Sequence, residues 1–296
     1  MPILDKEYFR YLPISERDKD WGLYVTGLGH SHVPPHCHYP RSVHPDCYHF
    51  GWEQGRVLQE FQALYIVAGE GRFESKTAGA VKIGQGNLIV LFPGEWHRYR
   101  PLWEVGWEEF WLAFAGRQME ELVARNFFGP AEPVLDVGME DGILRPYLTA
   151  HERCQTEPIG YQQLIAVNVL EVLSEAISAV RSRKTGRRAE AVVRQARMVL
   201  EQHADKLVKM EQVAASFSMS EKHFRRIFKQ QTGLSPYQYH LQAKIYRAKE
   251  MLRGTTLSIK EIALTLCFET PYHFSNLFKQ RTGMSPSQWR SGGSGI

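Results

Sequence analysis

The stretch FKQQTGLSPYQYHL at residues 228–241 is nearly repeated as FKQRTGMSPSQWR at residues 278–290. Identical residues of the two copies lie 50 positions apart. These pairs are Phe224 and Phe274, Phe228 and Phe278, Lys229 and Lys279, Gly233 and Gly283, and Pro236 and Pro286. A constant spacing of this kind indicates one structural unit that the chain builds twice.

Each copy follows a shorter apolar segment with helical character, MEQVAASF at 210–217 and IKEIALTLCF at 259–268. A residue that favours helix starts comes next, Ser220 in the first copy and Thr270 in the second. Pro271 then occupies a first-turn position, where proline is tolerated. A short helix, a tight turn and a second helix predict a helix-turn-helix, whose second helix enters the major groove of DNA.

The second helix of each unit has an apolar and a polar face. Phe224, Ile227 and Phe228 share one face of the first copy because they stand at i, i+3 and i+4. The residues predicted to point outward are Lys222, Arg225, Arg226 and Lys229, and in the second copy Tyr272, His273, Asn276 and Lys279. The same pattern also fits a surface helix whose charged side chains contact only solvent.

The charge of the chain favours the DNA interpretation. Residues 1–187 hold 19 Lys and Arg against 24 Asp and Glu, a balance of −5, whereas residues 188–296 hold 17 against 8, a balance of +9. A basic domain indicates a polyanionic partner. Between the two copies, residues 237–252 predict one helix of about 24 Å, which could set two reading helices in successive major grooves about 34 Å apart.

Residues 193–290 resemble the AraC/XylS family of bacterial transcription regulators, whose signature includes an FKxxxGxSPxxY-like segment. The resemblance implies base contacts in both second helices, while Lys229 and Lys279 suit phosphate. The implied base-contacting residues are Lys222, Arg225, Arg226, Tyr272, His273 and Asn276. One departure is Cys267, which stands where many members carry Gly in the second turn.

The N-terminal half predicts a different architecture. From residue 21 to 114, short apolar stretches such as FQALYIV, GNLIVLFPGEW and GWEEFWLAF are separated by Gly and Pro, which favours an antiparallel sandwich or barrel. Residues 161–180 predict an amphipathic helix that mediates dimer contacts, with the alternative that its apolar stripe packs only onto its own barrel. Its apolar stripe consists of Ala166, Val169, Leu173, Ala176 and Val180. The aromatic-rich segment MPILDKEYFRYLPI at 1–14 is predicted to be an arm without strand structure. The family resemblance implies that such an arm folds over a bound ligand; the alternative is that it only covers an exposed barrel edge.

The chain is therefore predicted to be an α+β multidomain protein, with a cupin-like β-barrel and helices before an all-α double helix-turn-helix domain. The predicted boundaries are 1–158 for the barrel with its arm, 159–181 for the dimerisation helix, 182–191 for the linker, 192–290 for the double helix-turn-helix domain and 291–296 for a flexible tail.

Several histidines of the N-terminal half are candidate metal ligands. The sequence HCH at 36–38 lies near His44, His49 and His97, and residues 86–97 look like the second half of a cupin motif. The first half lacks its carboxylate at the usual spacing, so the ligands of a metal site are incomplete. Cys37, Cys47, Cys154 and Cys267 form no CxxC pair. The sequence predicts no metal, no cofactor and no enzyme.

A weaker resemblance extends to the ligand-binding barrel of the same family, in which a sugar lies inside a cupin-like fold. It implies ligand contacts at Tyr99, Glu109 and Trp111. Period-two alternation independently places His97 with Tyr99, and Glu109 with Trp111 and Trp107, on shared strand faces. Aromatic rings beside a carboxylate suit a sugar, although such Trp residues can equally be core packing. Further candidates from HFGWEQGR are His49, Trp52, Glu53 and Arg56.

These observations predict a ligand-responsive transcription regulator. The expected partners are double-stranded promoter DNA, a small-molecule effector of carbohydrate type and a second copy of the chain, with RNA polymerase as a further candidate. We expect no apolar run to reach the roughly 18 residues that span a membrane, and the first residues lack a signal-peptide pattern, so a cytoplasmic location is expected. Two alternatives remain open: a metal-dependent cupin enzyme fused to a DNA-binding domain, and a regulator whose N-terminal domain only recruits proteins.

Overall fold

The computed structural model describes residues 7–39 and 51–292. The chain divides into two compact units, Met1–Val180 and Arg181–Ile296. The predicted α+β layout is confirmed, because the strands lie in the first unit and the second unit is helical.

The first unit contains the antiparallel sheet and the helices that cover it. Its strands are β1 (Tyr8–Tyr11), β2 (Tyr24–Val33), β3 (Arg56–Val57), β4 (Phe61–Ser75), β5 (Gly79–Gly84), β6 (Asn87–Leu91), β7 (Trp96–Pro101), β8 (Trp107–Ala115) and β9 (Val134–Asp136). Its helices are α1 (Glu16–Asp20), α2 (Arg117–Ala124), α3 (Asp141–Thr156) and α4 (Tyr161–Thr185), the last of which continues past the boundary of the unit.

The long strand β4 belongs to two sheets. Its first part, to Gly69, pairs with β8 and β6 in a sheet of order β1-β2-β8-β4-β6-β9, which we call the helix-backed sheet. Its second part, from Glu70, pairs with β5 and β7 in the second sheet, to which β3 adds through β7. Gly69 lies at the transition with φ +87°, and a Cβ there would come within 2.2 Å of the Gly106 carbonyl oxygen. Glycine is therefore required at this change of sheet.

Alternate residues of the helix-backed sheet enter two different cores. Tyr65 and Phe110 pack with α3 and α4 in what we call the helix core, whereas Leu64 and Trp111 pack with Phe73 of the second sheet in the interior core. Both faces of these strands are buried, because helices cover one face and the second sheet covers the other. This explains why FQALYIV and GWEEFWLAF are apolar at nearly every position.

Helix α4 corrects two predictions. The stripe residues Ala166, Val169, Leu173 and Ala176 are at most 2% exposed and lie in the helix core, so this stripe packs on its own sheet and cannot be a dimer face. The apolar outer face of the sheet needs such a cover. The expectation that no apolar run reaches spanning length was also wrong, since Tyr161–Arg183 has a mean hydropathy of 1.5. Of this apolar window, 39% is buried, and the buried part is the face that packs in the helix core.

The segment predicted to be a linker is mostly helical. Helix α4 ends at Thr185 and α5 (Arg187–Gln202) begins two residues later, so only Gly186 separates them. The polar composition of RSRKTGRRAEA was misleading, because Arg, Lys, Ala and Glu all favour helices. The prediction that the arm has no strand structure was also wrong, because its residues Tyr8–Tyr11 form β1, which pairs with β2; residues 1–6 lie outside the described residues. Of the predicted tail, residues 291 and 292 are helical and 293–296 are outside the described residues.

The second unit consists of two helical subunits joined by a long helix. Its remaining helices are α6 (Met210–Ser216), α7 (Glu221–Thr232), α8 (Pro236–Gly254), α9 (Ile259–Thr265), α10 (Pro271–Thr282) and α11 (Pro286–Gly292). One core joins α5, α6 and α7, and another joins α9, α10 and the second half of α8. With 19 residues, α8 is about 28 Å long, somewhat longer than predicted.

Candidate functional site

Helices α7 and α10 are the second helices of the two predicted helix-turn-helix units. Each begins at the predicted residue: the Ser220 hydroxyl accepts a hydrogen bond from the His223 amide at 3.3 Å, and the Thr270 hydroxyl accepts one from the His273 amide at 3.0 Å. Phe224 and Phe274 are fully buried in the respective cores. Because these buried residues fix the inner faces of α7 and α10, the two helices expose corresponding positions on their outer faces.

All eight residues predicted to contact DNA are exposed on these outer faces. They are Lys222, Arg225, Arg226 and Lys229 on α7, and Tyr272, His273, Asn276 and Lys279 on α10. Arg225 lies 3.5 Å from Glu221, and Arg226 lies 3.2 Å from the His223 ring. Exposed contacts of this kind contribute little free energy, so both arginines can exchange them for a DNA partner.

The turns of the two units have the same backbone geometry. Ser218 and Cys267 adopt φ angles of +56° and +51°. The Ser218 amide bonds the Ala215 carbonyl, the Cys267 amide bonds the Leu264 carbonyl, and both distances are 2.9 Å. Cys267 therefore builds the turn in the left-handed conformation that glycine adopts more easily, and the departure from the family pattern does not alter the turn.

Two residues of α8 bond neighbouring helices of the two helix-turn-helix units, and sequence reasoning missed both. Lys244 is only 5% exposed, and its ammonium group donates a hydrogen bond to the Leu266 carbonyl at the end of α9 at 2.8 Å. Burial lowers the pKa of Lys244. Toward the other end of α8, the His240 ring lies 2.9 Å from the Leu200 carbonyl of α5. In the sequence, Lys244 directly precedes Ile245, a residue of an apolar stripe. This position alone does not identify a buried ammonium group.

In the first unit, polar side chains meet inside the interior core. Arg56 donates to the Tyr99 hydroxyl at 2.5 Å and to the His97 ring at 3.2 Å, and the Tyr39 hydroxyl donates to Glu109 at 3.0 Å. Arg56 also donates to Gln62 at 3.4 Å, and the rings of Trp107 and Trp111 pack in the same core. We call this group the interior cluster. The alternation predicted from the sequence is observed, since the His97 and Tyr99 rings stack 6.1 Å apart on one face of β7.

Two buried polar atoms of the interior cluster have no hydrogen-bond partner among the described residues. They are Oε2 of Glu109 and Nε1 of Trp107. A buried polar atom without a partner is costly, and a bound ligand is one way to satisfy it. The pair offers one acceptor and one donor.

Burial sets the ionisation of the cluster. Desolvation raises the pKa of Glu109 to about 7, although the Tyr39 hydrogen bond and Arg56 oppose this. Burial, reinforced by Arg56, lowers the pKa of His97 to about 4, so that ring is neutral near pH 7. The neighbouring Glu108 points to the other face of β8, where it bonds His30 at 2.8 Å in the helix core.

Trp111 lies against β2 at a position where only glycine fits. A Cβ on Gly29 would come within 2.7 Å of the Trp111 ring. The Tyr11 ring from β1 lies 5.9 Å from the same indole. The segment predicted to cover a ligand therefore places at least one aromatic ring beside the cluster, as part of a strand.

The structure does not bring every predicted ligand residue together. Trp52 lies on the outer face of β7, where its ring stacks on Arg98 and Arg100, and Glu53 is exposed. His49 and His44 lie outside the described residues. His36 and His38 pack edge-on against Trp103, and no metal-holding group of His, Cys, Asp and Glu occurs within residues 7–39 and 51–292. Sequence reasoning missed Tyr39 and Gln62; the only signal for Gln62 was one polar residue within FQALYIV.

The buried carboxyl of Glu109 predicts a pH effect on stability. Between its unfolded pKa of 4.5 and its folded pKa of about 7, the folded state keeps a proton that the unfolded state has released, so stability falls as pH rises through this window. Glu109→Gln removes this loss. The variant is expected to gain about 2 to 3 kcal/mol relative to wild type between pH 5 and pH 8, as measured by urea unfolding. A pH-independent difference would show that Glu109 is already ionised at pH 5.

Comparisons with known proteins match both units. Residues 39–157 match a family model described as an AraC-like ligand binding domain, and residues 213–292 match one described as a helix-turn-helix domain. The Msm operon regulatory protein of Streptococcus mutans is 21% identical over 223 residues, covering 74% of this chain and 80% of its own length. The lactose operon transcription activator of Staphylococcus xylosus is 21% identical over 218 residues, covering 73% and 78%. Among solved structures, the C-terminal domain of AraT, a response regulator from Geobacillus stearothermophilus, is 32% identical over 34% of this chain and 84% of that chain, with a TM-score of 0.33.

Proposed function

The chain belongs to the AraC family of transcription regulators, with a ligand-binding domain and a helix-turn-helix DNA-binding domain, and we propose that its effector is a sugar or sugar derivative held by the interior cluster. The observation that carries this proposal is the pair of unpartnered buried atoms, Glu109 Oε2 and Trp107 Nε1, set among aromatic rings. Sugar hydroxyls both donate and accept hydrogen bonds, and the C–H faces of a sugar pack on indole and phenol rings.

The hydrogen bonds of the cluster support a neutral polyol. Arg56 donates to Tyr99 and His97, which occupies N–H groups that an acidic ligand would need. The name of one relative, a lactose operon transcription activator, agrees with a sugar effector but describes that protein.

The DNA contacts are proposed as assigned above, with Arg225, Arg226 and Asn276 reading bases and Lys229 and Lys279 contacting phosphates. Their exposure on two equivalent outer faces supports this assignment. Bidentate Arg–guanine and Asn–adenine pairs are the contacts that these side chains form in the major groove.

We also propose a homodimer that uses α4, but not through the predicted stripe. Leu164 and Val167 are 37% and 44% exposed, and they lie on the side of α4 opposite the buried residues. Two exposed apolar residues in one helix turn suit a small helix-to-helix contact.

A panel of mono- and disaccharides tests the effector by thermal shift on the full chain. One sugar is expected to raise the melting temperature, since a ligand that binds only the folded state stabilises it. Glu109→Gln exchanges one acceptor oxygen for an NH2 donor, Tyr99→Phe removes a hydroxyl, and both keep the side-chain volume. Each should therefore weaken sugar binding at least about tenfold while leaving DNA binding without effector unchanged. They are sharper than Tyr99→Ala or Trp111→Ala, which would open cavities in the core.

Glu53→Gln is the matched control, because Glu53 is an exposed carboxylate outside the cluster. It should bind the sugar as wild type does. If Glu109→Gln and Tyr99→Phe also bound it with unchanged affinity, the interior cluster would not be the effector site.

A further inference from the structure

A row of basic side chains crosses the outer face of the second sheet. Arg72 of β4 is the register partner of Lys82 on β5 and of Arg100 on β7. All three are exposed, and their neighbours Phe73 and Ile83 point into the interior core. Like charges placed directly opposite across strands repel and destabilise a sheet.

No carboxylate neutralises this row within the described residues: none of Arg72, Lys82 and Arg100 forms an ion pair. The adjacent row shows the contrast, because Arg98 lies there 2.6 Å from Glu74. Glu70 stands on the same face two residues before Arg72, yet it too forms no ion pair in the described part of the chain. The repulsion in the row of Arg72 is therefore left uncompensated in a unit whose overall charge is negative.

The two arginines of the row open onto a pocket. It has a volume of about 420 Å³, and Arg72, Arg100, Trp103 and His38 are among its lining residues. Glu104 is the one carboxylate in this lining and pairs with neither arginine among the described residues. The pocket shares only Tyr39 with the interior cluster, so it is a separate site.

Arg100 is held in place before any ligand arrives. Its guanidinium lies 4.0 Å from the centre of the Trp52 ring, which covers one face of the guanidinium. Stacking on an aromatic ring leaves the N–H groups at the edge of the guanidinium available for an anion. This gives Trp52, which lies outside the interior cluster, a function of its own.

We propose that this pocket is a second binding site, which takes the oxyanion group of a small molecule, phosphate or carboxylate, between Arg72 and Arg100. One guanidinium can bind a carboxylate or a phosphate through two parallel N–H groups, and the register of β4 with β7 places two such side chains on adjacent strands beside the pocket. A bound anion also removes the repulsion between the two arginines. The site is independent of the proposed sugar site, because the two share none of the polar groups invoked for either ligand.

Titration calorimetry on the full chain tests the site, with sodium pyrophosphate in one arm and citrate in the other at constant ionic strength. At least one of the two is expected to bind, and the arm that binds distinguishes phosphate from carboxylate. Arg72→Gln and Arg100→Gln should each weaken that binding at least about tenfold, and Arg72→Lys should restore part of it because the charge returns without the fork. Arg125→Gln, at an exposed arginine of the same unit, should have no effect.

The proposal is overturned if neither anion binds wild type up to about 10 mM, or if the Arg72 and Arg100 variants bind as wild type does. It is also overturned if these variants change only the salt dependence of DNA binding, since the row would then contact the DNA backbone. Thermal unfolding of each variant checks that it is folded, and the sugar titration should be unaffected in all of them.

Discussion

The double variant Arg225→Ala, Asn276→Ala is expected to bind target DNA about 2 to 6 kcal/mol more weakly than wild type, with relaxed base preference. Each residue is exposed on the outer face of its helix, and each can form a bidentate contact worth about 1 to 3 kcal/mol of discrimination. The two losses should add, because the residues lie on separate helices with separate cores. The surface pair between Arg225 and Glu221 does not offset this loss.

Fluorescence anisotropy measures this effect on a duplex selected by the wild-type protein from a random library, and on a scrambled duplex. Lys229→Ala is the matched control on α7, since a phosphate contact should weaken binding to both duplexes and reduce the salt slope by about one. The assignment of Arg225 and Asn276 to base reading fails if the double variant loses the same free energy on both duplexes.

The Leu173→Glu variant is expected to lose the folded ligand-binding unit. Leu173 is 2% exposed in the helix core, where it packs among Val169, Val172 and Ala176. A carboxylate at this position would be buried without a partner, which is among the changes that destabilise by more than about 4 kcal/mol. If the stripe were the predicted dimer face, the same substitution would instead give folded monomers.

Val167→Glu is the control on the same helix, because Val167 is 44% exposed. It should remain folded by circular dichroism and, under the proposed dimer, shift the protein to monomer in sedimentation velocity. A folded Leu173→Glu variant would contradict the packing of α4 on the sheet. A dimeric Val167→Glu variant would place the dimer contact elsewhere.

Local patterns were sufficient for the DNA-binding unit. The 50-residue repeat, the cap residues Ser220 and Thr270 and the spacing of Phe224 and Phe228 each depend on contacts within a few residues. These contacts are set by helical geometry, so the sequence predicted the helices and which side chains they expose. The linker was the exception, because helix propensity prevailed over its polar composition.

The sequence by itself determined the two architectures, the repeated reading helices and the alternation that places Tyr99 and Glu109 on strand faces. Only the tertiary structure decided what each face of the strands and of α4 packs against. Glu108 and Glu109 are adjacent and identical in type, yet one bonds His30 in the helix core and the other joins the interior cluster. In the same way, the sheet that α4 covers decided that the stripe of α4 is buried. The register of β4 with β5 and β7 decided that Arg72 stands in a row with Lys82 and Arg100. The physical reason is that periodicity fixes which residues share a face, whereas the partner of that face comes from segments distant in the chain.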